Sequence, residues 1–479
     1  MTAEPAVLHR RAEAELAGMT RDGSGDQISE AVERAKLALS KGENLTDLGN
    51  ARRFVAQHGD DVRYCHPWAR WLHFDGNRWR PDQDGEVERR AKGTVVSIYA
   101  EASNPELSEA DRKRIAGHAK SSESESRIRA MLGLARSEPG IPVPPDRLDA
   151  DPYLLGCGNG TVDLRTGKLR RPDRADLLTR GTNVPFEPNA RCPRWLRCLE
   201  EVFDGDRELT AFVKRWIGYT LTGATSEHVL AVLYGTGRNG KTTIVETVKR
   251  LLGDLAAAAP FDTFARVRGD RGPRNDLARL HRVRMVAASE SGKGRRLDEA
   301  TVKQLTGGDT IAARFLYSEY VEFRPEFKLW LVTNHRPRVD GGDDAIWARL
   351  RLIPFEVSFK GREDRQLEAT LADELPGILR WAVEGCVEWQ RDGLGTAPAV
   401  DAATDEYRED EDVLGAFLAE RCEREGEVEA AELRRAFEEF CREVGEDPPT
   451  ASVLGKELAN RGVTRGGKGR RIYRGVSLR

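Results

Sequence analysis

Residues 235–242 read GTGRNGKT and match the phosphate-binding pattern G-x-x-x-x-G-K-[ST] at every fixed position. The apolar run at 229–234 has the length of a strand, and the apolar residues of 243–252 fall on one helical face. A strand, a glycine-rich loop and a helix in this order let backbone N–H groups and a helix N-terminus face a phosphate. The stretch predicts an α/β domain with a phosphate site.

The residue types of this loop fit the chemistry of a nucleoside triphosphate. Glycines let the backbone come close to the phosphates, Lys241 would neutralise the β- and γ-phosphates of ATP, and the Thr242 hydroxyl would bind Mg²⁺. We expect the nucleotide to contact Gly235, Thr236, Gly237, Arg238, Asn239, Gly240, Lys241, Thr242 and Thr243.

Length and composition are typical of a multidomain protein. The 479 residues predict several domains, and no apolar stretch approaches the roughly 20 residues that a membrane span needs. The charged N-terminal sequence lacks the apolar core of a signal peptide. Seven scattered cysteines without a C-x-x-C pair favour reduced thiols in a cytoplasm. With a net charge of −3, contact with nucleic acid requires a local basic surface or pore.

Changes in composition and periodicity divide the chain into five parts. We predict a charged flexible leader (1–45), an α+β domain (46–200), the α/β domain with the phosphate loop (201–395), a linker (396–412) and a small C-terminal domain (413–479). Within the α+β domain, tryptophans among turn signals at 68–79 predict a short β-meander, and 159–167 predict a hairpin.

Two apolar runs downstream of the loop end in polar residues. Residues 282–288 are followed by Ser289 and Glu290, and residues 328–333 by Asn334. A carboxylate at the end of a strand beside the loop can orient Mg²⁺ and polarise the attacking water, so Glu290 is a candidate catalytic and metal-binding residue. Because Ser289 stands where a paired acid is usual, Glu290 acts alone or with a hydroxyl. Asn334 can contact the γ-phosphate or the water.

The sequence around these strand ends adds a hairpin and two arginines. Residues 311–323 have the form of a β-hairpin between the acid and the asparagine. Arg349 and Arg351 lie on a passage from a helix to a strand, and each could reach the γ-phosphate bound by a neighbouring subunit. A solvated basic face is the alternative for each arginine.

These motifs and their order resemble the superfamily 3 helicases, in particular the phage and plasmid primase–helicases related to the poxvirus primase–helicase. Beside GTGRNGKT, the matching segments are KQLTGGD (303–309), WLVTN (330–334) and AIWARLRLIPF (345–355). NGTVDL (159–164) and GYTLTG (218–223) match the domain that precedes the helicase in that family. The resemblance covers roughly residues 45–360.

The resemblance implies an AAA+-like ATPase in a ring, usually a hexamer, with ATP at the subunit interfaces. It also implies that the hairpin grips single-stranded DNA in the central pore, with Lys303 and Arg314 as weaker candidates for DNA contact. Arg349 matches the second arginine of a W-R-R-like pattern whose first arginine is replaced by Ala348, so Arg351 remains an alternative. The residues that carry over to the nucleotide site are Lys241, Thr242, Glu290 and Asn334.

One departure from the family concerns the primase half. Many members carry an upstream primase–polymerase domain with an Asp-x-Asp strand, whereas about 45 residues precede the matched region here. The D-x-D at 149–151 lies between prolines and predicts a turn. We expect the helicase part without the primase part, and a separate primase or replisome protein is a candidate partner.

The C-terminal domain is a second sign of nucleic-acid binding. Three short amphipathic stretches precede a basic, glycine-rich hairpin at 461–474, which describes a winged helix. Arg465, Lys468, Arg470 and Arg471 would contact the phosphates of duplex DNA. A solvated basic tail or a protein-docking module is the alternative.

These observations lead to one main interpretation and three alternatives. The main one is an ATP-driven DNA helicase for replication of a phage, plasmid or integrated element, with the 3′→5′ polarity taken from the resemblance alone. The alternatives are a non-translocating origin-binding ATPase, an oligomeric ATPase of a mobile-element defence or packaging system, and a small-molecule kinase that shares only the phosphate loop. We expect no membrane partner.

Overall fold

The computed structural model describes residues 43–266, 275–289, 295–314, 320–339, 344–466 and 471–479, without the side chains of 275, 314, 320 and 321. The predicted leader lies outside these ranges up to residue 42, and it stays a prediction. Two compact units are present: the described residues up to Val162 with Leu169–Gly181, and Asp163–Lys168 with Thr182–Arg479. In the described part of the chain, no helix is long and apolar enough to cross a membrane.

The first unit combines helices with two small three-stranded sheets. Strands β1 (Val62–Cys65), β2 (Arg70–Phe74) and β3 (Trp79–Pro81) form the predicted meander. A second sheet contains β4 (Leu154–Cys157), β5 (Gly160–Asp163) and β6 (Lys168–Arg170), which include the predicted hairpin. The α-helices of this unit are Asp47–His58, Glu86–Ala102, Glu109–Ser122 and Glu125–Ala135.

The D-x-D sequence at 149–151 forms a turn, as predicted. Asp149 has a φ of 51°, and its Oδ1 accepts hydrogen bonds from the backbone N–H groups of Thr179 (2.7 Å) and Arg180 (3.1 Å). The Asp149 carboxylate thus satisfies backbone donors of a neighbouring segment, a structural use that explains its burial.

The second unit is built on a five-stranded parallel sheet. Its strands are β7 (Leu230–Tyr234), β8 (Ala256–Pro260), β9 (Met285–Ser289), β12 (Lys328–Thr333) and β13 (Leu350–Pro354), in the spatial order β13-β7-β12-β9-β8. Strands β10 (Ile311–Arg314) and β11 (Tyr320–Phe323) pair as the predicted antiparallel hairpin, and its tip lies outside the described residues. The chain is therefore a mixed α/β protein with a parallel sheet.

The strands of this sheet are buried because helices pack on it. The strand patterns are nearly continuous apolar runs, as expected for strands covered on both faces. Trp216 of one covering helix packs on Trp330 of β12, with ring centroids 5.7 Å apart. The α-helices up to residue 392 are Pro193–Val202, Arg207–Thr220, Lys241–Leu252, Asn275–Ala278, Glu299–Gly307, Asp344–Trp347, Leu367–Asp373 and Leu375–Asp392.

The segment that we expect to be a linker is largely helical. Helix Pro398–Asp410 lies beside the edge strand β13, where Leu352 N donates a hydrogen bond to Thr404 Oγ1 (3.1 Å). Tyr407 is 1% exposed and packs edge-on against Trp347. The two buried residues of helix Pro398–Asp410, Val400 and Tyr407, are seven positions apart and lie on one face. The early prolines and the late charges obscure this pattern in the sequence. Proline is also acceptable in the first turn of a helix.

The C-terminal part of the second unit contains three helices and short strands, as its sequence predicts. The helices are Val413–Arg421, Ala430–Val444 and Ala451–Asn460, packed around Phe417, Phe437 and Phe440. Strands β15 (Glu427–Glu429), β16 (Thr464–Gly466) and β17 (Ile472–Arg474) form an antiparallel sheet in the order β15-β17-β16. Strand β14 (Cys422–Glu423) pairs with β18 (Ser477–Leu478).

Candidate functional site

The glycine-rich loop lies at the point of the sheet where the strand order reverses. It connects β7 to helix Lys241–Leu252, and β7 has β13 on one side and β12 on the other. The crevice at the carboxyl ends of such strands is the usual ligand site of parallel α/β sheets. A cleft of about 350 Å³ opens there, and it is lined by Gly237, Arg238, Asn239, Gly240, Lys241, Thr242, Thr243, Ser289, Val332, Thr333 and Asn334.

Lys241 is held inside the loop by two acceptors. Its Nζ donates hydrogen bonds to the Gly235 carbonyl (2.7 Å) and to Asn239 Oδ1 (2.9 Å), and only 4% of the residue is exposed. Burial lowers the pKa of Lys241 from 10.5 to about 8, because removal from water disfavours the charged form. A phosphate in the cleft would restore a counter-charge to this ammonium group.

Asn239 connects the loop to the end of strand β13. Its Nδ2 donates a hydrogen bond to the Phe355 carbonyl (2.8 Å), while its Oδ1 accepts from Lys241. A side chain at Gly235 would clash with both Asn239 and Phe355, which explains the glycine at that position. Gly240 has a φ of 86°, and a Cβ there would lie 2.6 Å from Val202. No local sequence pattern indicates the roles of Val202 and Phe355.

The segment after β13 holds the loop from a second side. Phe355 N donates to the Tyr234 carbonyl (2.8 Å), and Phe359 N donates to the Arg238 carbonyl (2.8 Å). The exposed Arg238 side chain forms an ion pair with Glu363 (3.1 Å). These contacts hold the loop against the segment that follows β13.

Two of the three polar strand-end residues line the cleft. Ser289 ends β9, and the exposed Asn334 follows β12, so both lie beside the loop as their positions after parallel strands predict. Thr333, which we did not predict, also lines the cleft, and its hydroxyl accepts a hydrogen bond from His335 N (2.9 Å). Glu290 lies outside the described residues.

Arg336 braces the chain just after Asn334. Its guanidinium lies 4.9 Å from the centre of the Tyr234 ring and forms ion pairs with Asp410 (2.6 Å) and Glu406 (3.1 Å). These interactions link the cleft to helix Pro398–Asp410. In the sequence, Arg336 is an unremarkable charge after a strand, because its carboxylate partners are about 70 residues away.

Arg349 and Arg351 lie near the amino ends of the parallel strands, whereas the cleft lies at their carboxyl ends. The Arg349 carbonyl accepts from Leu230 N (2.9 Å) at the start of β7, whereas the phosphate loop follows the end of β7. A five-residue strand separates these edges by roughly 16 Å. Arg349 Nη1 donates to the Ala345 carbonyl (2.9 Å), and the pKa of Arg351 is lowered by burial. Neither arginine lines the cleft of its own chain.

The candidate DNA contacts in the β10–β11 region are only partly described. Lys303 lies on helix Glu299–Gly307, where its Nζ is 3.8 Å from Glu299. Arg314 ends β10, and its side chain is outside the described set. Their contact with DNA stays a prediction.

The described arginines of the C-terminal hairpin are exposed and differ in whether they form an ion pair. Arg465 and Arg471 are exposed, and the Arg465 guanidinium lies 5.9 Å from the centre of the Tyr473 ring. Lys468 and Arg470 lie outside the described residues. Two other arginines of this segment have no nearby acid in the sequence but are ion-paired in the fold with distant acids, Arg461 with Asp412 (2.6 Å) and Arg474 with Glu427 (2.7 Å).

Comparisons with family models match the two parts of the chain that the motifs indicate. The family described as "D5 N terminal like" matches residues 51–204, and the "Family of unknown function (DUF5906)" matches residues 233–349. "Putative helicase L207/L206" of Acanthamoeba polyphaga mimivirus is 28% identical over 295 residues, which cover 57% of this chain and 31% of that protein. Both parts of the chain are thus similar to D5-type primase–helicases.

Two further viral proteins are similar to the chain. "Putative helicase 121R" of Invertebrate iridescent virus 3 is 28% identical over 228 residues, covering 46% of this chain and 24% of that protein. "Putative primase C962R" of African swine fever virus (isolate Tick/Malawi/Lil 20-1/1983) is 25% identical over 305 residues, covering 57% of this chain and 31% of that protein. The chain thus spans at most about a third of the length of these relatives.

A comparison of the chain with solved structures gives a match over most of its length. The structure called "The A form apo structure of NrS-1 C terminal region-CTR" has a TM-score of 0.47 and 11% sequence identity, and covers 86% of this chain and 95% of that chain.

Proposed function

We propose that the protein is an ATP-driven DNA helicase that serves replication of a phage, plasmid or integrated element. The observation that carries this proposal is the buried Lys241 inside a glycine-rich loop, at the carboxyl edge of the parallel sheet and in one cleft with Asn334. Similarity to relatives that are named helicases or primases adds DNA replication to the chemistry of a phosphate site. An AAA+-like ATPase core is part of the same proposal.

The residues of the cleft fit a magnesium nucleotide. Mg²⁺ prefers oxygen ligands and is usually held by few protein groups together with substrate phosphates and water. The exposed Thr242 side chain and the Ser289 strand end line the cleft, and we expect Thr242 to bind the ion together with Glu290. When bound, Mg²⁺ would offset the charge of the phosphates. Glu290 would then orient the attacking water, and Asn334 would contact the γ-phosphate or that water.

A ring of subunits would explain the position of the candidate arginine fingers. Arg349 and Arg351 lie across the sheet from the cleft of their own chain, so they could act only on a nucleotide bound by a neighbour. We propose a homo-oligomer, with a hexamer and 3′→5′ movement as the family resemblance implies. Single-stranded DNA would pass the β10–β11 hairpin, near Lys303 and Arg314.

A second candidate function is that of an origin-binding initiator ATPase without processive unwinding. The three C-terminal helices followed by an antiparallel hairpin with exposed Arg465 and Arg471 favour it, because a winged helix with these cations would bind duplex DNA. Strand displacement separates the two candidates: a helicase displaces a strand when given ATP, whereas an initiator of this kind binds duplex without displacing one.

The central test is ATP hydrolysis with and without single-stranded DNA, together with sizing in the presence of ATP. We expect DNA to stimulate hydrolysis and Lys241→Ala to abolish it, because the β- and γ-phosphates lose their counter-charge. Lys249→Ala is the matched control: it lies on the same helix, pairs with Glu246 (2.8 Å) and does not line the cleft. Hydrolysis that DNA leaves unchanged would favour a small-molecule kinase instead.

A further variant tests the catalytic carboxylate. Glu290→Gln should retain ATP binding and slow hydrolysis by orders of magnitude, since the water loses its polarising base. Near-normal turnover in this variant would move the role to another carboxylate, with Asp309 the next to test.

A further inference from the structure

A second chamber adjoins the phosphate cleft. It measures about 300 Å³ and shares Thr242 and Thr243 with the cleft. Its walls come from helix Lys241–Leu252 and from the segment that follows β13. The lining residues are Thr242, Thr243, Glu246, Thr247, Arg250, Asp364, Arg365, Leu367 and Glu368.

The direction of a triphosphate on the loop indicates what this chamber receives. In a loop of this type, the lysine reaches the β- and γ-phosphates, and the backbone N–H groups hold the α- and β-phosphates. The γ-phosphate then lies toward Ser289 and Asn334, at the ends of the neighbouring strands. The nucleoside leaves the loop at the other end, past Thr242 and Thr243, where the second chamber begins.

Most charged groups of the chamber are already paired, and one is not. Asp364 pairs with Arg194 (3.3 Å), Glu246 pairs with Lys249 (2.8 Å), and Arg250 pairs with Glu368. Arg365 lines the chamber, is exposed and makes no ion pair with any residue that the structure describes. Its planar guanidinium is therefore available to a ligand.

We propose that this chamber binds the nucleoside half of the nucleotide and that Arg365 holds the base by stacking. A guanidinium stacks well on flat aromatic faces, and the half-buried Leu367 adds an apolar contact. The Thr243 hydroxyl and the Glu246 carboxylate line the same chamber and can accept hydrogen bonds from ribose hydroxyls. This inference rests on the proposed nucleotide function and adds the residue that recognises the base.

Stacking also sets the expected breadth of substrate choice. Discrimination of many thousandfold requires buried polar groups that are left unpaired by the wrong base. Here Arg250, Asp364, Arg365 and Glu368 are all exposed, and stacking alone is tolerant of base identity. GTP should therefore bind with a Kd within about tenfold of that of ATP.

The test compares ATP with inorganic tripolyphosphate, which fills the phosphate cleft but has no nucleoside. Both are titrated calorimetrically with Mg²⁺ into the full chain, Arg365→Ala and Arg362→Ala. Arg362 is the matched control: it lies three residues away, its guanidinium donates to the Ser358 carbonyl (2.7 Å), and it does not line the chamber. Arg365→Ala should weaken ATP binding about tenfold, which corresponds to the free energy of one cation–π contact. The same variant should leave tripolyphosphate binding unchanged. Arg362→Ala should change neither.

Each other result has a separate meaning. Equal losses for ATP and tripolyphosphate in Arg365→Ala would make Arg365 a phosphate contact and overturn the nucleoside assignment. Unchanged ATP binding in Arg365→Ala would overturn its role directly, as would GTP binding weaker than ATP by about a thousandfold or more. If the unaltered chain binds neither ligand, the proposed nucleotide function itself fails and this inference fails with it.

Discussion

Replacement of Asn239 by alanine should destabilise the second unit, which contains the glycine-rich loop. Asn239 is 3% exposed and its amide joins two elements, because it accepts from Lys241 Nζ (2.9 Å) and donates to the Phe355 carbonyl (2.8 Å). Alanine removes both bonds and leaves the Phe355 carbonyl without its side-chain donor. A hydrogen bond between neutral groups contributes about 1 kcal/mol, and one to a charged group about 1.5–3 kcal/mol.

From these values, Asn239→Ala should lower the free energy of unfolding of the second unit by about 2.5–4 kcal/mol. Each kcal/mol corresponds to about 2 °C in Tm for a unit of this size, so a decrease of about 5–8 °C is expected. Thermal unfolding followed by tryptophan fluorescence measures the change. Thr236→Ala is the matched control, because Thr236 is an exposed residue of the same loop.

A second substitution separates the two bonds of Asn239. Asn239→Asp keeps an acceptor for Lys241 but replaces the donor to the Phe355 carbonyl with a carboxylate oxygen that repels it. It should retain the contact with Lys241 yet weaken ATP binding, because it adds a negative charge to a loop that binds phosphates. A Tm for Asn239→Ala within about 1 °C of that of Thr236→Ala would refute the reasoning that this amide links the loop to β13.

Three further predictions concern subunit contacts, DNA binding and pH. Arg349→Ala subunits should bind ATP without hydrolysing it, and mixing them with Lys241→Ala subunits should restore part of the activity; no recovery despite confirmed co-assembly would move the finger role to Arg351. Replacing Arg465, Lys468, Arg470 and Arg471 by alanine should weaken duplex binding and flatten its dependence on log[salt], by about 0.9 per lost phosphate contact; a line that superimposes on that of the unaltered chain would mean that the hairpin does not bind duplex. Burial lowers the pKa of His58 from 6.5 to about 4, so the folded first unit binds fewer protons than the unfolded chain between these values. Its stability should be complete above pH 6.5 and fall by about 3 kcal/mol as the pH drops to 4, and this slope should be absent in urea titrations of His58→Phe.

The core of the second unit could be predicted from local patterns. The strand, loop and helix around residues 230–252, strand β12 and the β10–β11 hairpin all have periodicities and end residues that act within a few positions of sequence. Because the carboxyl ends of parallel strands meet at one edge, the convergence of Ser289 and Asn334 on the loop could also be predicted.

Interactions between distant residues could not be predicted in this way. Arg336 is positioned by Glu406 and Asp410, and Asn239 by the Phe355 carbonyl, over separations of about 70 to 116 residues. The same limit applies to Arg461 and Arg474, which the sequence presents as free cations and the fold pairs with Asp412 and Glu427. Local composition records the charge of a residue but not the partner that the fold brings to it.

Helix Pro398–Asp410 has a consequence for synthesis and for trimming of the chain. Until this helix has formed, the outer N–H and C=O groups of β13 stay open to pairing with another chain, because β13 is the last strand on its side of the sheet. A nascent or shortened chain that stops at residue 395 would expose this apolar strand and should aggregate. Ending the chain after Asp412 keeps Thr404 on the Leu352 N–H group and Tyr407 on Trp347, so the smallest fragment with the parallel sheet that stays dispersed should include the whole helix.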